Sequence, residues 1–414
     1  MKIPEAHYSC TSCGRCCRDW HVYLSRIELE RLKQLSWGAT DGIPSDLSVE
    51  IGGTNYVAHR ENGACIYLDE ATNLCKIHSK FGEAAKPLGC RVYPWNVVTT
   101  FPGEFSAIPR LDCPPARQCE GASSESARLE LRGFVADLKL NGGFDKDDLE
   151  GVEPARMRRI IGMIYDRCVD NEPDGWLVGR RLNVAAERFE SLTAPFINDL
   201  DLDGVLPSTF DRINSDAEFN LIRKLPLVHR WNLASLLAGY LRRDEETLAG
   251  GPAARLNRTI TIAKMVFGGA SLRELGREHP EGMVESRLLF NKPIENFGEL
   301  DWQPWLTMVR LRLQAYQFFG PANYGNSVYD GLRALSLTMP LVLATAKWAA
   351  LARDASQCVV RAEDMDYAVG AIDHSFGRSK YLSFAIFRKQ ARQLAEPDNY
   401  RNLTNALLAR NLST

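Results

Sequence analysis

Residues 10–17 read Cys10-Thr11-Ser12-Cys13-Gly14-Arg15-Cys16-Cys17, four thiols on a run whose Gly14 can take a backbone conformation closed to other residues. Such a loop turns its sulfurs toward a common centre. The adjacent Cys16 and Cys17 are too close along the chain to pair comfortably as a disulfide. Thiolates gathered in this way hold one soft cation or one cluster. Nine of the eleven cysteines fall in the first 119 residues, the run above being followed by Cys65, Cys75, Cys90, Cys113 and Cys119. The N-terminal part of the chain is therefore expected to fold around metal.

The rest of the composition narrows the setting. A chain of 414 residues is long enough for two domains, each with its own core. Fifty Lys and Arg stand against 52 Asp and Glu, a formal charge of -2. No overall basic field draws the protein to nucleic acid or anionic lipid, so neither is expected as a partner. The opening MKIPEAHYSC lacks the apolar stretch of an export signal. A cytoplasmic location follows, and in a reducing compartment a cysteine cluster reads as metal ligation rather than as a disulfide scaffold. The apolar stretch from Leu335 to Ala352 raises the question of a membrane span, but Pro340 and Lys347 interrupt it. A charged residue at the centre of a span is expensive in lipid, so a helix buried within a helical domain is expected instead.

Two textures divide the chain. Residues 1–122 are short segments punctuated by Gly, Pro and Cys, with a helix expected at IELERLKQL where Ser25 and Glu28 form a capping box. Asn55 to Ile77 reads as a hairpin, NYVAH and CIYLD flanking ENGA, with a second turn at Asn73, Leu74 and Cys75. Residues 123–414 show helical periodicity, beginning with Leu129, Leu131, Phe134, Leu138 and Leu140 on one face. Further helices are expected over 154–169, 177–192, 217–225, 230–249, 253–267, 303–318, 329–353, 362–372 and 380–394. The fold class is mainly α: a small irregular cysteine-rich metal-binding domain packed on a large all-helical one.

The later cysteines stand in contexts as distinctive as the first. They are Cys65-Ile66-Tyr67-Leu68-Asp69, Cys75-Lys76-Ile77-His78, Pro87-Leu88-Gly89-Cys90-Arg91-Val92-Tyr93-Pro94 and Leu111-Asp112-Cys113-Pro114. In order and spacing these segments resemble the YkgJ-like cysteine-cluster family, whose pattern runs CxxCGxCC, C-x-x-L, C-x-I-H and P-x-x-C-R-x-Y-P. The resemblance covers about the first 115 residues. A cluster domain followed by a long helical region also resembles the flagellin lysine N-methylases. The resemblance implies that Cys10, Cys13, Cys16, Cys17, Cys65, Cys75, Cys90 and Cys113 are zinc- or iron-chelating positions. It further implies S-adenosylmethionine as cofactor and a flagellin-like surface protein as substrate. One [4Fe-4S] cluster or one structural zinc uses four thiolates, so eight allow two clusters, a cluster plus zinc, or one site with spare thiols. Distant cysteines in mixed contexts favour an iron-sulfur cluster over a zinc finger. His78 and Arg91 are expected to donate hydrogen bonds to cluster sulfur rather than to ligate. Cys119 reads as a spare thiol, and Cys168 and Cys358 as buried core residues.

Motifs for other chemistry are missing. A nucleophile elbow, a phosphate loop and an HExxH motif do not occur. The pairs Gly250-Gly251 and Gly268-Gly269 follow no convincing strand, so a Rossmann-type site for S-adenosylmethionine is not expected. The C-x-x-x-C-x-x-C spacing of radical enzymes is also missing. An iron with an open position would act as a Lewis acid toward an amino-carboxylate, with Asp69 or Asp112 as a base, although both are read first as turn caps. Trp302, Trp305, Tyr316, Phe318, Phe319 and Tyr324 read as core, and Phe376 to Tyr381 as a polar and aromatic loop.

Overall fold

The Ser25–Glu28 capping box forms as its sequence requires. Ser25 Oγ accepts from the Glu28 N–H (3.3 Å) and Glu28 Oε2 accepts from the Ser25 N–H (2.9 Å), fixing the start of the helix Arg26–Lys33. In a computed structural model of the chain, residues 1–138, 140, 143–144, 147–191, 201–217, 225–241, 251–267, 269–271 and 283–408 are described. The protein is mainly helical, 57% helix against 9% strand.

The cysteine-rich region is built from short pieces. The strand Thr54–Val57 lies between Tyr23–Leu24 and Ser48–Ile51 in an antiparallel sheet, with Tyr56 opposite both Tyr23 and Val49. The expected hairpin of NYVAH with CIYLD forms only as a short antiparallel contact around ENGA. The His59–Cys65 bridge and a bond from the Ile66 N–H to Ala58 O (3.2 Å) join those segments, while residues 54–57 pair with 48–51 across the Gly52-Gly53 turn and with 23–24 from earlier in the chain. A second hairpin pairs Trp95–Thr99 with Phe105–Pro109. The region closes on itself where His7–Tyr8 pairs with Ala122–Ser123. The approach is so close at Gly121 (φ +111°) that a Cβ would stand 2.3 Å from Ser9 Oγ, so only glycine fits.

The helical region surrounds Val328–Arg353, among the described residues the one helix long and apolar enough to cross a membrane. It is the core of the protein instead, with 94% of its apolar window buried. Gly175–Ser191, Ala362–Ser375, Ala385–Ala395 and Pro397–Leu408 pack around it. Trp305 Nε1 donates to Thr338 Oγ1 (2.9 Å), and Trp302, Trp305, Tyr316, Phe318 and Phe319 are core as expected. Pro154–Cys168, Leu227–Tyr240, Pro252–Phe267 and Gln303–Gln314 start within three residues of the expected positions. The sequence reading missed Leu202–Ala217, Ser286–Asn291 and Pro397–Leu408. The helix read over 217–225 falls mostly outside the described residues, as do Gly250, Gly268 and the end of the 230–249 reading. Gly269–Ser271 pairs with Met283–Glu285, a small sheet in a region read as wholly helical.

Contacts across residue 122 are extensive. Ala6, Phe101, Ile108 and Leu111 join the hydrophobic core of the helical region. Gln317 Nε2 donates to Asn96 O (3.1 Å) and Ser106 Oγ (3.0 Å), and the Leu111 N–H donates to Asp373 Oδ2 (2.8 Å). Arg117 grips Asp366 with Nε (2.5 Å) and Nη2 (2.7 Å). Gly370 makes room, since a Cβ there would lie 2.5 Å from Arg117 Nη1.

Candidate metal centre

The first cysteine run folds as a loop entering the short helix Cys16–Asp19, with Ser12 (φ 55°) and Gly14 (φ 70°) both left-handed. At Gly14 a side chain would also strike Asn73, whose Oδ1 lies 2.9 Å from the Cβ position. Asn73 is itself left-handed (φ 55°) at the turn where the Asp69 N–H donates to Leu74 O (2.9 Å). The loop holding Cys13 is thereby pressed against the turn before Cys75. The Cys65 N–H donates to Cys17 O (2.7 Å), which ties in a third cysteine segment. Cys75 precedes the helix Lys76–Phe81, Cys90 lies within Leu88–Val92, and Cys113 precedes Pro114–Arg117. Glu28 Oε1 accepts from the Leu88 N–H (2.8 Å), anchoring the helix of Cys90 to the capped helix.

These segments bring Cys10, Cys13, Cys16, Cys90 and Cys113 to the wall of one cavity of about 330 Å3. Tyr8, His78, Lys86, Arg91, Tyr93 and Trp95 complete much of the lining. Cys17 is outside that lining, its Sγ 4.0 Å from that of Cys16. Cys65 and Cys75 lie with Cys90 against the apolar cluster of Val22, Leu24, Val57, Ile66, Tyr67 and Ile77. Among the described residues, no three Cys, His, Asp or Glu side chains stand close enough to grip an ion as placed. The thiols converge on the cavity without closing on a single point.

Burial and mutual repulsion set the state of the thiols. Burial raises the Cys65 and Cys113 thiols to about 12, with neighbouring thiols adding to the effect and backbone N–H groups at Tyr67 and Ala116 opposing it. Cys90 is pushed well above the ordinary thiol range by burial, then by Cys65, Cys75 and Cys16. The Cys16 thiol is raised by its hydrogen bond with Cys17 and by burial, with the Lys86 ammonium opposing. A bound cation supplies the positive charge that makes such crowded, dry thiols give up their protons. The donor set therefore fits a thiophilic metal or cluster. Its sulfurs would be the ligands, with His78 and Arg91 at the rim as hydrogen-bond donors.

The other candidates are dispersed. Cys119 is exposed, and Cys168 and Cys358 are buried in the helical region. Asp69 Oδ1 accepts from the Ala71 N–H (3.0 Å), a turn cap as expected. Asp112 is not one. Its carboxylate takes Arg110, His374 Nδ1 (2.9 Å) and Tyr93 Oη (3.3 Å), and although burial raises it, Arg110 and His374 hold it well below the usual carboxylate range. A base held so firmly ionised and so fully engaged is a poor proton acceptor. Phe376 and Tyr381 of the expected polar loop are buried, and Arg378 turns inward to Asp373. Sequence reasoning missed Tyr8, Lys86 and Trp95 at the cavity, and no motif marks them.

The chain is 28% identical over 262 residues to an uncharacterized protein of Methanocaldococcus jannaschii, a match covering 59% of this chain and 90% of the relative. No solved structure matches. Residues 9–113 match the CxxCxxCC family model, described as a "putative zinc- or iron-chelating domain". The segment that lines the cavity is thus similar to a family described as zinc- or iron-chelating, and this likeness supports a metal-binding cysteine cluster.

Proposed function

We propose that the cavity holds an iron-sulfur cluster on four of the five thiols Cys10, Cys13, Cys16, Cys90 and Cys113. Cys17, Cys65 and Cys75 are then thiols for a second site or for exchange with the first. The observation that carries this reading is the convergence on one cavity of thiols from three separate segments, 10–16, 90 and 113. Zinc needs the same number of thiolates and would leave the same surplus thiol, so the preference for a cluster rests on the distant, mixed segments that supply the cysteines. Reconstitution with iron and sulfide under argon tests it. Broad thiolate-to-iron absorption that disappears in Cys90→Ser and Cys113→Ser supports the assignment, and absorption unchanged in both variants refutes it.

The catalytic extension of this reading is lysine N-methyl transfer from S-adenosylmethionine to flagellin or a similar surface protein. Its support is the likeness in chain organisation, a cluster region followed by a long helical one. Thermal stabilisation of the loaded protein by S-adenosylmethionine or its demethylated product is the check, through the linkage of ligand binding to unfolding. A reversible redox couple without that response would make the protein an electron carrier.

A further inference from the structure

A second cavity, of about 310 Å3, backs onto the first, and Tyr93 and Trp95 line both. Trp20, Val97 and Leu138 extend its apolar wall, and Arg110, His374 and Arg378 are polar side chains of the same lining. Arg110 is 7% exposed, and its guanidinium sits 5.0 Å from the Trp20 ring centre and 5.3 Å from that of Tyr93. Its Nη2 is engaged by Asp112 and lies 3.4 Å from His374 Nδ1. Its Nε is buried and meets no acceptor among the described residues. Arg378 donates from Nε to His374 O (3.1 Å) and from Nη2 to Asp373, while its Nη1 is likewise buried without an acceptor.

Among the described residues, the guanidiniums and carboxylates around the cavity do not balance. Arg312, bonded to Asp373 Oδ1 (2.5 Å), joins Arg110 and Arg378 to make three guanidiniums against the two carboxylates Asp112 and Asp373. The neighbouring Arg117 is matched by its own partner, Asp366. Burial and the repulsion of Arg110 depress Arg378 below the ordinary guanidinium range. An unmatched buried cation is costly, and two unmet N–H groups add to that cost. One negative charge in the cavity would offset both.

We propose that this cavity binds a small organic carboxylate with a flat apolar body. The carboxylate is received by Arg110 and Arg378, and the body lies along Trp20, Tyr93 and Trp95. A singly charged, flat anion matches one excess positive charge and aromatic walls better than a compact inorganic oxyanion does. The binding claim stands apart from the metal, although a ligand held here would meet the cysteine cavity across Tyr93 and Trp95.

Benzoate is the probe, titrated into the full chain as purified and after iron-sulfur reconstitution, with tryptophan fluorescence and calorimetry as readouts. We expect a dissociation constant of about 1 mM or tighter in both preparations. Arg378→Gln should weaken it about tenfold or more. Leu138→Trp, which fills the half-buried wall without touching a charge, should weaken it as well. Benzoate binding to protein that takes up no metal would support the proposal and refute the cluster assignment. The proposal is overturned by no binding at about 10 mM benzoate. Equal affinity for inorganic phosphate, or two folded variants that bind like the parent, would also overturn it.

Discussion

Lys347→Met should make the protein more stable at neutral pH, and less so as pH rises. Lys347 is wholly buried in the helix Val328–Arg353, and its Nζ donates to Leu407 O (2.6 Å). Burial lowers its pKa from 10.5 to about 8, with Cys358 partly opposing. At about 1.36 kcal/mol per pH unit, that drop means the charged lysine costs the folded state about 3 kcal/mol at pH 7. Methionine keeps the apolar stem and removes the charge, but it leaves Leu407 O without this donor, a loss of about 1 kcal/mol. The net gain is about 2 kcal/mol. Between pH 8 and 10.5 the unfolded chain holds a proton on Lys347 that the folded chain has released, so wild-type stability rises with pH across this window. The variant has no such rise. Its advantage should therefore shrink by about 2 kcal/mol between about pH 7 and 9.5. Urea unfolding of both proteins, followed by helical circular dichroism, measures the difference. A variant less stable than wild type at pH 7, or a difference that does not change with pH, would refute the reasoning.

Cys13→Ser and Cys90→Ser should each lose metal and loosen the first 122 residues while most helical dichroism survives, read by metal analysis and limited proteolysis. Metal uptake should release protons and strengthen as pH rises from about 6 to 8, because burial holds the Cys65 and Cys113 thiols protonated at about 12 without a cation; a pH-independent affinity measured by competition with a chelator would contradict this. Asp373→Asn should cost about 3–5 kcal/mol in denaturant unfolding, since it strips charge from the acceptor of Arg312, Arg378 and the Leu111 N–H; wild-type stability would argue against a tight seam.

The features legible in the sequence are those set by neighbours along the chain. The Ser25–Glu28 box, the left-handed turns at Gly14 and Asn73, and the cap at Asp69 all depend on residues within a few positions. Long periodic helices such as Val328–Arg353 announce themselves in the same way. Strand Thr54–Val57 is legible only on one side: its partner 48–51 is local, across the left-handed Gly52-Gly53 turn, while its partner 23–24 is chosen by tertiary packing. Leu202–Ala217 was hidden by Pro207 and its polar neighbours, and Pro397 reads as a helix stop although it begins the next helix. In the candidate site, the cysteines were visible by type and spacing. The cavity's Tyr8 and Lys86 were not, nor was the union of Arg110 and Asp112 with His374, more than 260 residues away. Asp112 shows the limit well: its turn-like context pointed to a cap, and its partners made it one member of a buried charge cluster.

The most direct test of the central claim is the iron, acid-labile sulfide and zinc content of protein purified without oxygen. The account predicts iron and sulfide at about four each per chain, lost together in Cys90→Ser. Protein that carries neither iron nor sulfide after reconstitution, with its cavity thiols all titrating as free, would contradict it.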